Sequence, residues 1–239
     1  PGSSRQIFVE PDAHHVFPYI LSSGSFITTL YLTNLEDRDI KVYCEYVGLN
    51  GEARPLNFNF PGGSEATDLS LSNVSPLATE SFSTVSRSTT LTTVWAYCSD
   101  ENRTDRFSGY AVVRNVATNG AAREFITMLH PPVEPVFSLP LLPTVQGTNA
   151  LILVNSSLEE DSGIALFLTD REGKTVGTSS LTLKASNLRL IVFNELFKDA
   201  AVRGGTVRVV AVDASKQITG LALVNNIAGF TAFTPLTPK

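Results

Sequence analysis

Histidine is scarce in this sequence: His14, His15 and His130 are the whole complement. Nucleophilic hydrolysis needs a base beside its serine or cysteine, and few positions remain to supply one. Familiar catalytic motifs are missing too. There is no G-x-S-x-G elbow, H-E-x-x-H helix, C-x-x-C pair or G-x-x-x-x-G-K-[ST] loop. The three histidines can be gathered at one end of the first half as a metal site, but solvated loop histidines are the plainer expectation, and no metal or other cofactor is expected. Long apolar runs are also absent. Ile152–Val154 and Leu190–Phe193 are typical, far short of the roughly 20 residues that a membrane-spanning helix requires. Nor is there a basic surplus: 18 Lys and Arg stand against 23 Asp and Glu, which argues against nucleic acid and anionic membrane surfaces as partners. Methionine occurs once, and the Glu, Lys and Ala blocks of helical proteins are lacking, so Thr, Ser and the apolar residues point to strands. The polar start Pro1-Gly2-Ser3-Ser4 is not a secretory leader, and the chain reads as a piece of something longer.

What is present is enough to fold. Hydrophobic residues make up 43% of the 239 and charged residues 17%, a balance of an ordered protein. The chain also repeats itself. Leu30-Tyr31-Leu32-Thr33-Asn34 matches Leu151-Ile152-Leu153-Val154-Asn155, and Val42 to Gly51 matches Ile164 to Gly173. Further on, Ser108 to Val116 matches Thr219 to Ile227, and the entries Val16-Phe17 and Val136-Phe137 agree as well. The offset is 121 residues at Leu30 and Leu151 but 111 at Ser108 and Thr219, which places an insertion in the first copy between Asn57 and Thr79. Between the copies, His130-Pro131-Pro132-Val133-Glu134-Pro135 reads as a short stiff spacer. The resulting divisions are an N-terminal arm (1–15), a first module (16–130), a Pro-rich linker (131–135) and a second module (136–239).

Within the second copy, short apolar or alternating runs stand at Ala150–Asn155, Ile164–Thr169, Thr175–Leu183, Asn187–Phe193, Thr206–Val212, Gln217–Asn225 and Phe230–Thr234. Turn residues separate them, such as Asp170 to Gly173 and Asp213 to Lys216. Only Asn194 to Ala201 has helical character, over one or two turns. The expected fold is all-β: two tandem two-sheet sandwich domains related by internal duplication.

The repeated elements are a Phe at entry, an apolar strand ending in Asn, a Gly-containing turn, Glu195-Leu196-Phe197, the strand Gly205-Thr206-x-x-Val209 and the strand Gly220-x-Ala222-x-Val224. This pattern resembles the tandem immunoglobulin-like modules of large secreted or surface proteins of soil bacteria. The resemblance implies an immunoglobulin-like fold and an extracellular or cell-surface setting, and it brings no catalytic residues.

Four features compete for a role. Acids follow the first repeated strand in both copies (Glu36, Asp37, Asp39; Glu159, Glu160, Asp161). Clustered carboxylates can bind calcium, though without the spacing of a defined calcium loop they read as solvated turns. Asn73, Asn102 and Asn155 open N-x-[ST] sequons, which the resemblance to bacterial modules implies are accidental. Cys44 aligns with Leu166 and Cys98 with Val209, so both replace apolar residues on inward faces. Their spacing is similar to the inter-sheet disulfide of immunoglobulin domains, while Trp95 departs from that family's Cys-Trp-Cys order. A disulfide and two buried free thiols both fit. Sheets lie about 10 Å apart whereas a disulfide needs Cα atoms within roughly 4.4–6.8 Å, so a bond requires a local pinch or neighbouring strands. Finally, Trp95 and Tyr97 align with Thr206 and Arg208, polar residues that mark an outward face. Two aromatics there suit a sugar ring or a partner protein, unless the insertion, through Leu69, Leu71 and Val74, or the N-terminal arm covers them.

These features support a non-catalytic structural or interaction module, with an unidentified protein or glycan as partner. The alternative is a carbohydrate-binding module of a secreted hydrolase, with Trp95 and Tyr97 as its platform. An enzyme in its own right is disfavoured by the missing base and nucleophile.

Overall fold

Runs of Thr, Val, Ile and aromatic residues cannot stay solvated as isolated ribbons; they pair edge to edge and bury one face. The computed structural model describes residues 15–59, 65–67, 72–102, 106–116, 123–129, 135–141, 148–197, 204–213, 218–226 and 229–233. Its strands in the first half are β1 (His15–Ser22), β2 (Phe26–Asn34), β3 (Ile40–Gly48), β4 (Asn57–Asn59), β5 (Glu65–Thr67), β6 (Ser72–Val74), β7 (Thr79–Thr84), β8 (Thr92–Asp100), β9 (Phe107–Asn115) and β10 (Arg123–Met128). The second half contains β11 (Val136–Leu141), β12 (Thr148–Asn155), β13 (Ser162–Thr169), β14 (Thr175–Leu183), β15 (Leu188–Val192), a single helical turn α1 (Phe193–Leu196), β16 (Gly205–Ala211), β17 (Ile218–Asn226) and β18 (Gly229–Phe233). The protein is all-β, its paired strands antiparallel, and none of its sheets closes into a barrel.

Two sheets belong to each half, and none is shared. The first half has the orders β1-β8-β3-β6 and β10-β9-β2-β7-β4-β5; the second has β11-β16-β13-β14 and β18-β17-β12-β15. The registers match as well as the orders. Leu30 faces Ala111 and Phe82, as Leu151 faces Ala222 and Ile191. Cys44 faces Cys98, as Leu166 faces Val209. The entry strands differ from the expectation, because Phe17 stands opposite Ala96 while Phe137 stands opposite Val209. By register the residue in the place of Phe17 is Leu139, and that of Phe137 is His15; the Val-Phe match of the sequence is two residues out. A bulge between Phe17 and Ile20 adds to the divergence of this strand.

Each half buries the inner faces of its own two sheets. Leu30, Val42, Phe58 and Ala96 share one core; Leu151, Leu166, Phe193 and Val209 share the other. Matching details hold these layers. The buried Asn34 amide donates to the carbonyls of Arg38, Val74 and Ser75, and its oxygen accepts from the Glu36 N–H. Asn155 donates to Glu160, Leu183 and Lys184 and accepts from Ser157. An amide with all of its sites occupied can end a strand and tie it to the opposite sheet in a single side chain. This is why both repeated strands end in Asn, and the Asn155 sequon is thereby occupied from within. Gly51 and Gly173 occupy the same turn with φ of 85° and 81°, a region that disfavours any side chain.

The stretch where the two halves differ lies slightly earlier than the insertion expected between Asn57 and Thr79. Val47 bridges Ala53 as Thr169 pairs with Thr175, so the halves still match there. They match again where Val74 faces Ile40, as Leu183 faces Ser162. In between, β14 runs unbroken along β13, whereas the first half sends its chain across to add β4 and β5 to the other sheet. The N-terminal arm lies outside the described residues except for His15, which begins β1. Of the Pro-rich spacer only Pro135 is described, and its carbonyl accepts from Ala211 N–H at 2.7 Å.

Candidate functional site

Strands covered on one face alternate in burial, as β2 and β13 do; strands covered on both faces do not. β8 is buried continuously from Val94 to Cys98, and β12 from Asn149 to Asn155. Both are therefore covered on the face that points away from their own core. The cover is the other half. Trp95, Tyr97, Val47, Ile152, Val154 and Leu221 share a third apolar cluster, built mainly from the outer faces of β1-β8-β3 and of β12 and β17, with Val113 of β9, Phe125 of β10 and Leu188 of β15 joining it.

The aromatic pair lies on the outward face of its own sheet, and that face is covered, not open. Trp95 is 0% exposed and Tyr97 9%. Of the cover expected from the insertion and the arm, Leu69, Leu71 and residues 1–14 lie outside the described residues, and Val74 packs into the first half's own core. The Trp95 indole N–H donates to the Ser186 carbonyl at 3.0 Å, across the boundary between the halves. Tyr97 donates its hydroxyl to the exposed carboxylate of Glu45, its neighbour on β3. Burial, followed by that hydrogen bond, pushes the Tyr97 phenol far above its usual range. Burial alone pushes Tyr19, in the same cluster, up to about 12.

The receiving turn is held from behind. Ser186 takes a positive φ of 58°, uncommon for a residue with a side chain. Its own N–H donates to the Ser157 carbonyl, and Asn187 N–H donates to Lys184. Asp161 accepts from the Lys184 ammonium at 2.6 Å and from Ala185 N–H, and these bonds hold its carboxyl below the usual range. Asp161 thus has a structural partner. In the first acidic turn, Glu36 pairs with Arg106 at 3.2 Å while Asp37 and Asp39 are exposed. Among the described residues no group of three or more His, Cys, Asp or Glu is arranged to hold a metal ion. His14 and His130 lie outside them, and His15 is buried against Phe107.

Cys44 and Cys98 are joined, with Cα atoms 4.1 Å apart. The bond does not run between sheets in the immunoglobulin manner. It links directly opposed residues on the neighbouring strands β3 and β8. That resolves the distance problem without any pinch, because side chains of an opposed antiparallel pair already lie close.

The outer face of β2, β9 and β10 was not singled out from the sequence. There Tyr31 and Tyr110 stack at 4.6 Å, beside the exposed Ile126 and Met128. A repeated Tyr at matched strand positions was the available signal. No helix among the described residues is long and apolar enough to cross a membrane. Neither a protein-family model nor a curated protein matches the chain.

Proposed function

We propose that this chain is a non-catalytic structural or interaction segment of a secreted or cell-surface bacterial protein. It comprises two immunoglobulin-like β-sandwich units that arose by duplication, followed by loss of sequence likeness at most surface positions. The carrying observation is the matched strand order and register of two halves whose facing sheets are buried on each other. A surface used to fix one unit to the next serves architecture. The buried disulfide supports the extracellular setting, since such bonds persist in oxidising compartments. The residue chemistry supports the non-catalytic reading: the sequence has three histidines and none of the familiar catalytic motifs.

The carbohydrate-binding alternative relied on Trp95 and Tyr97 as an open platform. A sugar ring stacks on an exposed aromatic face, and these two faces are covered by the second half, so that site is not retained. The test is a broad screen of ester, peptide and glycoside substrates, together with polysaccharide pull-down. No turnover and no glycan retention are expected. Reproducible turnover that disappears on mutating one surface residue would overturn the proposal, and glycan retention lost on changing an outer-face aromatic would reinstate the alternative.

A further inference from the structure

We infer that the two halves move and unfold as a single body, with Trp95 as the latch that fixes their angle. The inference rests on the two-unit reading above and adds a fixed geometry to it. Two domains joined by a spacer are expected to swing unless their interface is large and apolar. Here Ile152 and Val154, on the outside of their own sheet, are fully buried, and so is Trp95. Separation would return an apolar stripe to water on both units.

Apolar contact is non-directional, however, and on its own it lets two flat sheets slide. Direction comes from the indole N–H, which meets the Ser186 carbonyl inside the interface. Sliding by a residue would leave both groups buried without partners, which is costly. The carbonyl is also fixed in place, through Asn155 and Asp161 behind its turn and through the left-handed Ser186 itself. At the rim the first half's turn engages the same segment. Asn50 bridges Asn187, and a Cβ on Gly51 would sit 3.2 Å from that of Ser186. The directed bond and the interlocked turns fix one place, the Ser186–Asn187 segment, and β10 lying along β18 provides a second, so rotation about the first is opposed.

Trp95 is the sole tryptophan, so its emission reports on the interface without any label. In the intact protein, thermal unfolding followed by Trp95 emission and by far-ultraviolet circular dichroism is expected to coincide. Residual dipolar couplings from both halves should fit one alignment tensor. Ile152→Lys puts a charge between the halves and leaves the second half's own core untouched. It is expected to keep the dichroism spectrum, shift native Trp95 emission to the red and require two tensors. Trp95→Phe keeps an aromatic ring but removes the N–H, and it should also require two tensors, which carries the test if the lysine variant does not fold. Two tensors in the unaltered protein, or one tensor in the phenylalanine variant, would overturn the latch. Either result leaves the non-catalytic reading standing, whereas turnover in the substrate screen would end that reading and leave the latch intact.

Discussion

At one place in the fold the two halves carry opposite chemistry. In the first, Val47 stands opposite Trp95 on the outer face of β3 and β8; in the second, Thr169 stands opposite Thr206 on β13 and β16, their hydroxyls 2.6 Å apart. Next along, Tyr97 pairs with Glu45, while Arg208 stands opposite Phe167. One backbone arrangement thus serves as an internal wall and as a solvated wall. The difference lies in what covers it. A face that receives another sheet needs apolar area, and a face that meets water needs groups that bond to water.

The largest test of this comparison is to truncate both members of the pair. Trp95→Ala removes a buried indole and leaves the Ser186 carbonyl without its donor, a loss of about 3–5 kcal/mol. Thr206→Ala, at the matching place, should cost under about 1 kcal/mol, as half-exposed substitutions usually do. Urea unfolding of both variants checks the contrast, and equal losses would break it.

The second contrast concerns the cysteines. β13 has β14 along its whole length, whereas described β6 covers only Ile40–Val42 of β3. Cys44 lies just beyond that covered stretch. The disulfide therefore fastens β3 to β8 where the first half has diverted its chain into β4 and β5. Closing a loop of this length removes denatured-state entropy worth about 4 kcal/mol in the chain-entropy model, often less in practice. Reductant should lower the melting temperature markedly, and thiol titration of unfolded, oxidised protein should find no free thiol. Two free thiols would rule out the bond, and an unchanged melting temperature would remove its fastening role.

Where the halves agree, the costs should agree. Asn34→Ala and Asn155→Ala each leave buried carbonyls without a donor, so each should lose about 2–3 kcal/mol. A large loss at one and a negligible loss at the other would mean that the two strand ends are tied by different means.

The smallest effect is in pH. The Tyr97 phenol is held protonated in the fold, with its folded value raised above the unfolded one near 10. The folded state then binds the extra proton, so this contribution is whole below about pH 10 and declines as the pH rises further. Tyr97→Phe should flatten the alkaline limb of the stability profile. Arg208→Ala, at the matching position, should leave that limb unchanged.

The sequence was readable where periodicity carries the signal. β13, β14 and β17 lie within two residues of the runs read from alternation and turn residues, because each has its faces in different surroundings. The helical turn expected over Asn194 to Ala201 is described at Phe193–Leu196, and residues 198–201 lie outside the described residues. What covers Trp95 was not legible. Its indole and those of a solvent-facing platform look alike in a list of residues; the cover is a sheet more than 50 residues away in the chain, and Ile152 and Val154 read simply as core. Whether the disulfide joined pinched sheets or neighbouring strands stayed open in the sequence, because spacing along the chain does not distinguish opposed neighbours from facing sheets; the structure shows neighbours. His15 was assigned to an arm because nothing local says that a strand begins with it.

The docking of one half on the other has a direction. It joins the β1-β8-β3 face of one unit to the β12-β17 face of the next, two different surfaces, and contacts of that type can continue without limit into a filament. Arg208 and Thr206 occupy the positions where a third unit would have to dock. A guanidinium buried there without a carboxylate partner would lose its hydration at a cost, which disfavours burial. In the language of polymers, the β11-β16-β13 face of the second half is a poor site for adding a further unit, whatever the other end of the stack allows.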